Sequence, residues 1–451
     1  MEKPISLLDR FNQWARNSIT LKLIAIGFLI LVLLIPSSQV NSLIYERESL
    51  RDEANREVSS KWGSDQTLGG PVISIPYYYT YKTDDGKTET SIEYAHFLPD
   101  SLFINGELKP EKRYRGIYVV VLYSSKIQVN GNFAFLIFDA LPIDKSSLIL
   151  KDAFVSFGIS DMKGIRENIT MNINDKNYDF NPGISSGEIF SSGVSFPIDL
   201  TETNSLNFSF NLDLNGSSSI SYLPFGKETV VNIKSSWGDP SFSGQFLPDE
   251  RKIDANGFSA KWRVLQLNRN YPQQGTGDFI ASSDDDRGSF GVKLLLPVDE
   301  YQKTMRSAKY VTMFIILTFL TFFFVEVMNR RRIHSIQYLL VGFAIILFYV
   351  LLLSMSEHIS FNLSYLVASV IILLLVTLYA KAIFKSNFLT ILTFSILSIL
   401  YAFFYSLLQL QDYALLMGSF GLLFILAVIM YLTRKIDWYA FNTDEDLEHK
   451  N

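Results

Sequence analysis

Residues 310–358 read YVTMFIILTFLTFFFVEVMNRRRIHSIQYLLVGFAIILFYVLLLSMSEH, and this stretch decides the architecture. Two apolar runs, 310–329 and 337–355, are each long enough to cross a hydrocarbon core of roughly 30 Å, and Arg330, Arg331 and Arg332 divide them. Further runs at 362–384, 388–409 and 413–432 make 310–432 a block of five predicted transmembrane helices. One more span lies near the start, at 20–40, with its apolar core from Leu21 to Ile35. Between it and the block, residues 41–309 hold no run of membrane length. The spacing therefore predicts a six-helix membrane protein, one helix plus five, carrying a large domain on one side.

Lys and Arg set the orientation, because they concentrate in cytoplasmic loops. Lys3, Arg10, Arg16 and Lys22 flank the first span. With that end inside, the three arginines at 330–332, then Lys381 and Lys385, then Arg434 and Lys435 all fall inside too. The short outer loops, 356–361 and 409–413, carry neither residue. Both termini are expected in the cytoplasm, with 433–451 as a cytoplasmic tail. A cleaved signal peptide would need a small-residue site after its apolar core; none follows, so the first span reads as an anchor. Within 1–19, Leu7, Leu8, Phe11, Trp14 and Ala15 share one helical face while Arg10 and Arg16 lie off it, as in an interfacial helix.

The outer domain divides again. Residues 41–61 read as a juxtamembrane helix with a charged, ion-paired face. From 70 to 296 the pattern is β: runs such as VISIPYYYTY and LNFSFNLDL are bounded by turn signals, including Asp85-Gly86, Asn105-Gly106 and Asn130-Gly131. Strands at that spacing predict one or two β-sandwiches. Phe97-Leu98-Pro99-Asp100 recurs as Phe246-Leu247-Pro248-Asp249, each followed by Asn-Gly, an echo that admits two related lobes.

Composition removes much chemistry. With no cysteine among 451 residues there is no disulfide, zinc-thiolate site or Cys nucleophile. Only four histidines are present: His96, His334, His358 and His449. A net charge of −5 argues against nucleic-acid binding. Gly183-Ile184-Ser185-Ser186-Gly187 matches the nucleophile-elbow pattern on paper, but Asn-Pro precedes it, Ser-rich loop follows, and no later outer-domain His exists. Asp284-Asp285-Asp286 lacks the alternating spacing of a calcium loop. No phosphate-cradling loop and no H-E-x-x-H occurs, so no metal or cofactor is expected.

Ionisable groups in or beside the spans carry more information, since charge in lipid is costly. Glu326 lies four residues before Arg330, the spacing of an intrahelical ion pair at the inner interface, with a proton-relay role as the alternative. Glu357 and His358 end the third span, Asp412 begins the sixth, and Asp299 and Glu300 precede the second. Together these five define a candidate polar pocket at the outer membrane face, set against the plain reading of polar helix ends meeting water.

GGPVISIPY (69–77), GQFLPDERKIDANGFSAKW (244–262), the spans within 308–358 and RKIDWYAF (434–441) resemble the CreD family of bacterial inner-membrane proteins. The resemblance covers essentially the whole chain. It implies a cell-envelope integrity protein with a periplasmic β-domain, tied in some bacteria to colicin tolerance and β-lactam response. It supplies no catalytic residues. The leading expectation is a non-enzymatic inner-membrane protein that lies in the lipid bilayer and presents its β-domain to periplasmic or inner-membrane protein partners. A transporter or export-permease component is the second reading, and an intramembrane enzyme acting on lipid or cell-wall precursors the third.

Overall fold

The computed structural model describes residues 19–134, 141–201, 205–280, 287–296, 300–329, 333–410 and 413–434. Two compact units partition the chain: Met1–Leu50 with Val298–Asn451, and Arg51–Pro297.

The first unit is helical. Its elements are α1 (Ile19–Trp62, whose last residues enter the second unit), α2 (Glu300–Ala308), α3 (Val311–Met328), α4 (Ser335–Ser356), α5 (Phe361–Phe384), α6 (Asn387–Gln409) and α7 (Ala414–Thr433). Among the described residues, the six other than α2 are long and apolar enough to cross a membrane, which is the expected one-plus-five pattern. The expected first span and juxtamembrane helix are one unbroken helix of 44 residues running through Pro36. At 1.5 Å per residue it extends about 66 Å, twice the thickness of a hydrocarbon core. Ile26, Leu33, Val40 and Ile44 form its buried stripe and join a core that includes Phe314, Phe319, Tyr338 and Tyr365. Gly342 of α4 makes that packing close: a Cβ there would stand 2.2 Å from Leu33 Cδ1 and 3.2 Å from Phe319 Cζ. Small residues at helix contacts serve membrane proteins this way, because lipid offers no hydrophobic drive to bring helices together. By contrast α7 is apolar all round and leaves Leu415, Phe420 and Phe424 exposed, as lipid contact requires.

The second unit is a β-sandwich. Its strands are β1 (Gln66–Lys82), β2 (Thr88–Phe97), β3 (Ser101–Arg115), β4 (Tyr118–Phe133), β5 (Ala153–Ile159), β6 (Thr170–Ile173), β7 (Lys176–Asp179), β8 (Asn181–Pro182), β9 (Gly193–Ile198), β10 (Leu206–Ser217), β11 (Ser219–Tyr222), β12 (Glu228–Ser235), β13 (Pro240–Gly244), β14 (Glu250–Asp254), β15 (Gly257–Leu265), β16 (Gln274–Thr276) and β17 (Phe290–Leu294). One sheet runs β13-β17-β11-β1-β5-β9-β8, with β2 beside β1 and β16 beside β2; the other runs β14-β15-β12-β3-β4-β10-β6-β7. Pairing is antiparallel except for β1 with β11 and β3 with β12.

Alternation builds the second sheet: Leu102, Ile104, Val231, Ile233, Leu212 and Trp262 are buried in the shared core, while their strand neighbours face outward. Strand β1 departs from alternation: from Leu68 to Tyr77 it is buried on both faces, and from Tyr78 to Lys82 it is exposed. A separate cluster of Val72, Leu98, Phe190, Leu223, Phe225 and Tyr271 covers its far side. That cluster explains the Gly69-Gly70 pair. Gly69 faces Gly158 across the β1–β5 ladder, and a Cβ on either would meet the Phe190 ring at 2.9 and 2.4 Å respectively.

Two predicted turns are not turns. Asp85-Gly86 does link β1 to β2, with Gly86 at φ +74°. Asn105-Gly106 and Asn130-Gly131, however, lie inside β3 and β4. Their glycines relieve crowding instead: a Cβ on Gly106 would reach Ile233 Cδ1 at 2.7 Å, and one on Gly131 would reach the Phe208 ring at 2.5 Å. The repeated tetrapeptide sits in two settings, closing β2 in one case and lying between β13 and β14 in the other.

Candidate functional site

Two ion pairs stand out among the described residues of the helical unit. At the first, Glu326 in the last turns of α3 is almost fully buried and forms an ion pair with Lys22 from the first turn of α1. Its two oxygens also accept from the Ile333 N–H at 2.8 Å and the Tyr338 hydroxyl at 2.9 Å. Lys22 Nζ donates in addition to the Ile333 carbonyl at 3.3 Å. The carboxylate is thus satisfied as an anion by three donors from α1, the α3–α4 connection and α4. Arg330, expected as its partner, lies outside the described residues. The intrahelical spacing pointed along α3, whereas the geometry ties α3 to α1.

At the second place, Glu357 caps the end of α4 and pairs with Arg47 of α1 at 3.7 Å. The Glu357 side chain is 9% exposed and that of Arg47 43%. His358 next to it is exposed. Thr304 of α2 and Ser356 of α4 stand 3.4 Å apart, both buried, and Arg306 of α2 donates to the Leu410 carbonyl at 2.6 Å. These contacts tie the end of α4 to the body of α1 and to α2, and α2 to the end of α6. Of the five residues proposed to share a polar pocket, Asp299 and Asp412 lie outside the described residues. Glu300 opens α2, and Glu357 faces Arg47. The arrangement is a set of helix-end clamps. Such groups hold charge in place at the helix ends.

Sequence reading missed a third constellation, in the β-unit. Ser74 on β1 and His96 on β2 are direct cross-strand partners, and Ser74 Oγ lies 2.8 Å from His96 Nδ1. His96 Nε2 lies 2.6 Å from a Glu188 carboxylate oxygen in the β8–β9 connection. Ser74 and His96 are buried, whereas the Glu188 side chain keeps 30% exposure. Phe279 stacks on the imidazole at 6.1 Å and Tyr94 at 6.4 Å. Burial pushes His96 below the usual histidine range, against the upward pull of Glu188 and Asp278. The neutral ring then accepts from Ser74 and donates to Glu188, satisfying both nitrogens.

The residue order copies a serine–histidine–carboxylate relay, but the chemistry does not follow. The hydroxyl is buried inside the sheet, closed off from solvent, where a triad serine faces an open cleft. Glu188 adjoins the Gly183–Gly187 stretch, where the elbow pattern lies in a loop between β8 and β9 with no helix after it. The three groups clamp that loop onto the sheet. The one sequence signal for this cluster was a lone histidine in a β-run; its partners lie 22 and 92 positions away.

The fold defines a multi-pass α-helical membrane protein carrying a β-sandwich between its first and second spans. A family model described as "Inner membrane protein CreD" matches residues 18–439. The chain is also 32% identical over 349 residues to "Inner membrane protein CreD" of Escherichia coli strain K12, covering 75% of this chain and 76% of that relative. The chain belongs to the CreD family of inner membrane proteins.

Proposed function

We propose that the protein acts as a non-catalytic scaffold of the inner membrane, with both termini cytoplasmic and its β-sandwich in the periplasm, where it engages envelope partners and supports envelope integrity under stress. One observation carries this reading: α1 runs without a break from an apolar span into the β-unit, while the Lys and Arg of the short loops fall in the connections on the other side and the loops 356–361 and 409–413 carry none. The end of α1 is fastened to the sandwich. Trp62 Nε1 donates to the Tyr123 carbonyl at 3.1 Å, and Glu57 meets Arg115 at 3.1 Å. The clamps at Glu326 and Glu357 grip the same helix within the membrane unit.

The cysteine-free sequence makes the topology directly testable. Thr80→Cys in the β-unit should react with a membrane-impermeant maleimide in intact spheroplasts, and Lys385→Cys should react only after lysis. The reverse pattern would overturn the orientation. Photo-crosslinking from Tyr114, which is 72% exposed, should then capture an envelope component in cells; a clean lane at normal protein level would remove the partner-display reading.

A transport-coupled role stays as the second reading on the Lys22–Glu326 pair, since buried charge among spans often marks an ion path. Loss of a solute or proton flux in Glu326→Gln, with the protein folded and at normal abundance, would favour it.

A further inference from the structure

The outer face of the β14-β15-β12-β3-β4-β10 sheet is polar in register. Glu250, Lys261, Asn232, Asn105, Gln128 and Asn211 are successive cross-strand partners, so one straight row crosses six strands. At roughly 4.8 Å per strand the row is about 24 Å long. Asn232 donates to Asn105 at 2.9 Å and Lys261 meets Glu250 at 3.1 Å, while Gln128 and Asn211 are exposed. A second row runs beside it, Lys234, Glu107, Lys126 and Asp213, with alternating sign along four strands. Phe103, 41% exposed, stands two residues before Asn105 on the same face. The two rows floor a concavity of about 950 Å³.

We infer that this groove binds an extended glycan strand bearing amide and carboxylate substituents. The occupant follows from the lining. Protein interfaces are built on buried aromatics and Met, with Lys, Glu and Ser depleted; this floor is Asn, Gln, Lys and Glu. Small apolar ligands need apolar walls. The lining sets five Lys and Arg against four Asp and Glu, so a polyanion gains little from it. Amides both donate and accept, as hydroxyls do, so an amide row matches a polyhydroxylated chain at each step. One amide per strand spacing is close to one per sugar ring in an extended β-linked chain. Alternating charges in the second row meet carboxylates and amines on a substituted glycan.

The inference deepens the proposed function by naming the partner's class, and it rests on the periplasmic placement of the β-unit. The test uses the full chain in nanodiscs, titrated with a β-1,4-linked N-acetylglucosamine tetramer. The wild-type chain should bind saturably. Asn105→Val/Gln128→Val should bind at least tenfold more weakly, with β-propensity and hence folding preserved, checked by circular dichroism and thermal unfolding. Thr80→Val/Thr90→Val, on the other sheet, should bind as wild type. No saturable binding by the wild-type chain, or equal binding by the Asn105/Gln128 variant, overturns the inference. Binding in nanodiscs does not depend on orientation in cells. A negative titration alongside correct maleimide topology therefore removes the glycan alone, and inverted topology alongside positive binding removes the scaffold reading.

Discussion

Lys22 and Glu326, 304 positions apart in sequence, form a buried ion pair that joins the first turn of α1 to the end of α3. Glu326 is the more deeply enclosed partner, with 4% of its side chain exposed against 28% for Lys22. Breaking one side strands the other. Glu326→Ala should cost about 3–5 kcal/mol, the usual penalty for an uncompensated buried charge, and should also leave the Tyr338 hydroxyl without its acceptor. Lys22→Met/Glu326→Leu should recover most of that loss, because a well-packed apolar pair avoids desolvation. Thermal unfolding in detergent over the double-mutant cycle checks it. Additive losses would mean that the two groups do not stabilise each other.

Gly342 and Leu33 make an equally specific steric claim. A methyl group at 342 must displace Leu33 Cδ1, so Gly342→Ala should destabilise the helical unit by about 1–3 kcal/mol, typical of overpacking. Leu33→Ala should partly relieve Gly342→Ala even though it is itself destabilising. Protease resistance of the detergent-solubilised protein reads both effects. A neutral Gly342→Ala would show that α1 and α4 have slack at this contact.

What could be read from the residues alone follows a physical divide. Spans were legible because twenty apolar residues in succession have few other uses; the five runs of the block fall on separate helices, while the first is only the apolar part of the longer α1. The β character of 70–296 was legible from period-two alternation. Glycine roles were not: Asn105-Gly106 and Asn130-Gly131 have turn chemistry locally but serve packing against Ile233 and Phe208, residues far away in sequence. The partners of Glu326 and His96 were hidden for the same reason. Local spacing reports i, i+4 neighbours, and Lys22 and Glu188 come from other elements. Nothing in a strand pattern announces register, so the aligned row through Asn105 was also invisible until the ladder was set.

Gly158 and Phe190 test the small cluster that covers β1. A Cβ on Gly158 would lie 2.4 Å from the Phe190 ring, and a rigid ring yields less readily than a leucine methyl. Gly158→Ala should therefore cost about 1–3 kcal/mol, and Phe190→Leu in the same chain should restore much of it. Urea unfolding followed by tryptophan fluorescence reports the change, since Trp237 and Trp262 are buried in this unit. Equal stability of Gly158→Ala and wild type would place Phe190 elsewhere.

His96 predicts a pH slope of definite sign. Its folded pKa lies below the unfolded value of about 6.5. Between the two values the unfolded chain therefore holds more protons, and stability rises with pH. The contribution is full above about 6.5 and is lost as pH falls toward the folded value, below which the slope levels off. Glu188 and Asp278, the acidic groups acting on the ring, narrow that window without reversing it. His96→Gln keeps a donor and an acceptor between Ser74 and Glu188 while removing the titration. Unfolding midpoints measured from pH 8 to 5 should fall less steeply in His96→Gln than in wild type, with the two curves parallel above pH 7. Carboxylates away from this cluster contribute equally to both curves, so the difference reports His96 together with its partner Glu188. A wild-type curve no steeper than that of His96→Gln would mean that His96 titrates alike in the folded and unfolded chains.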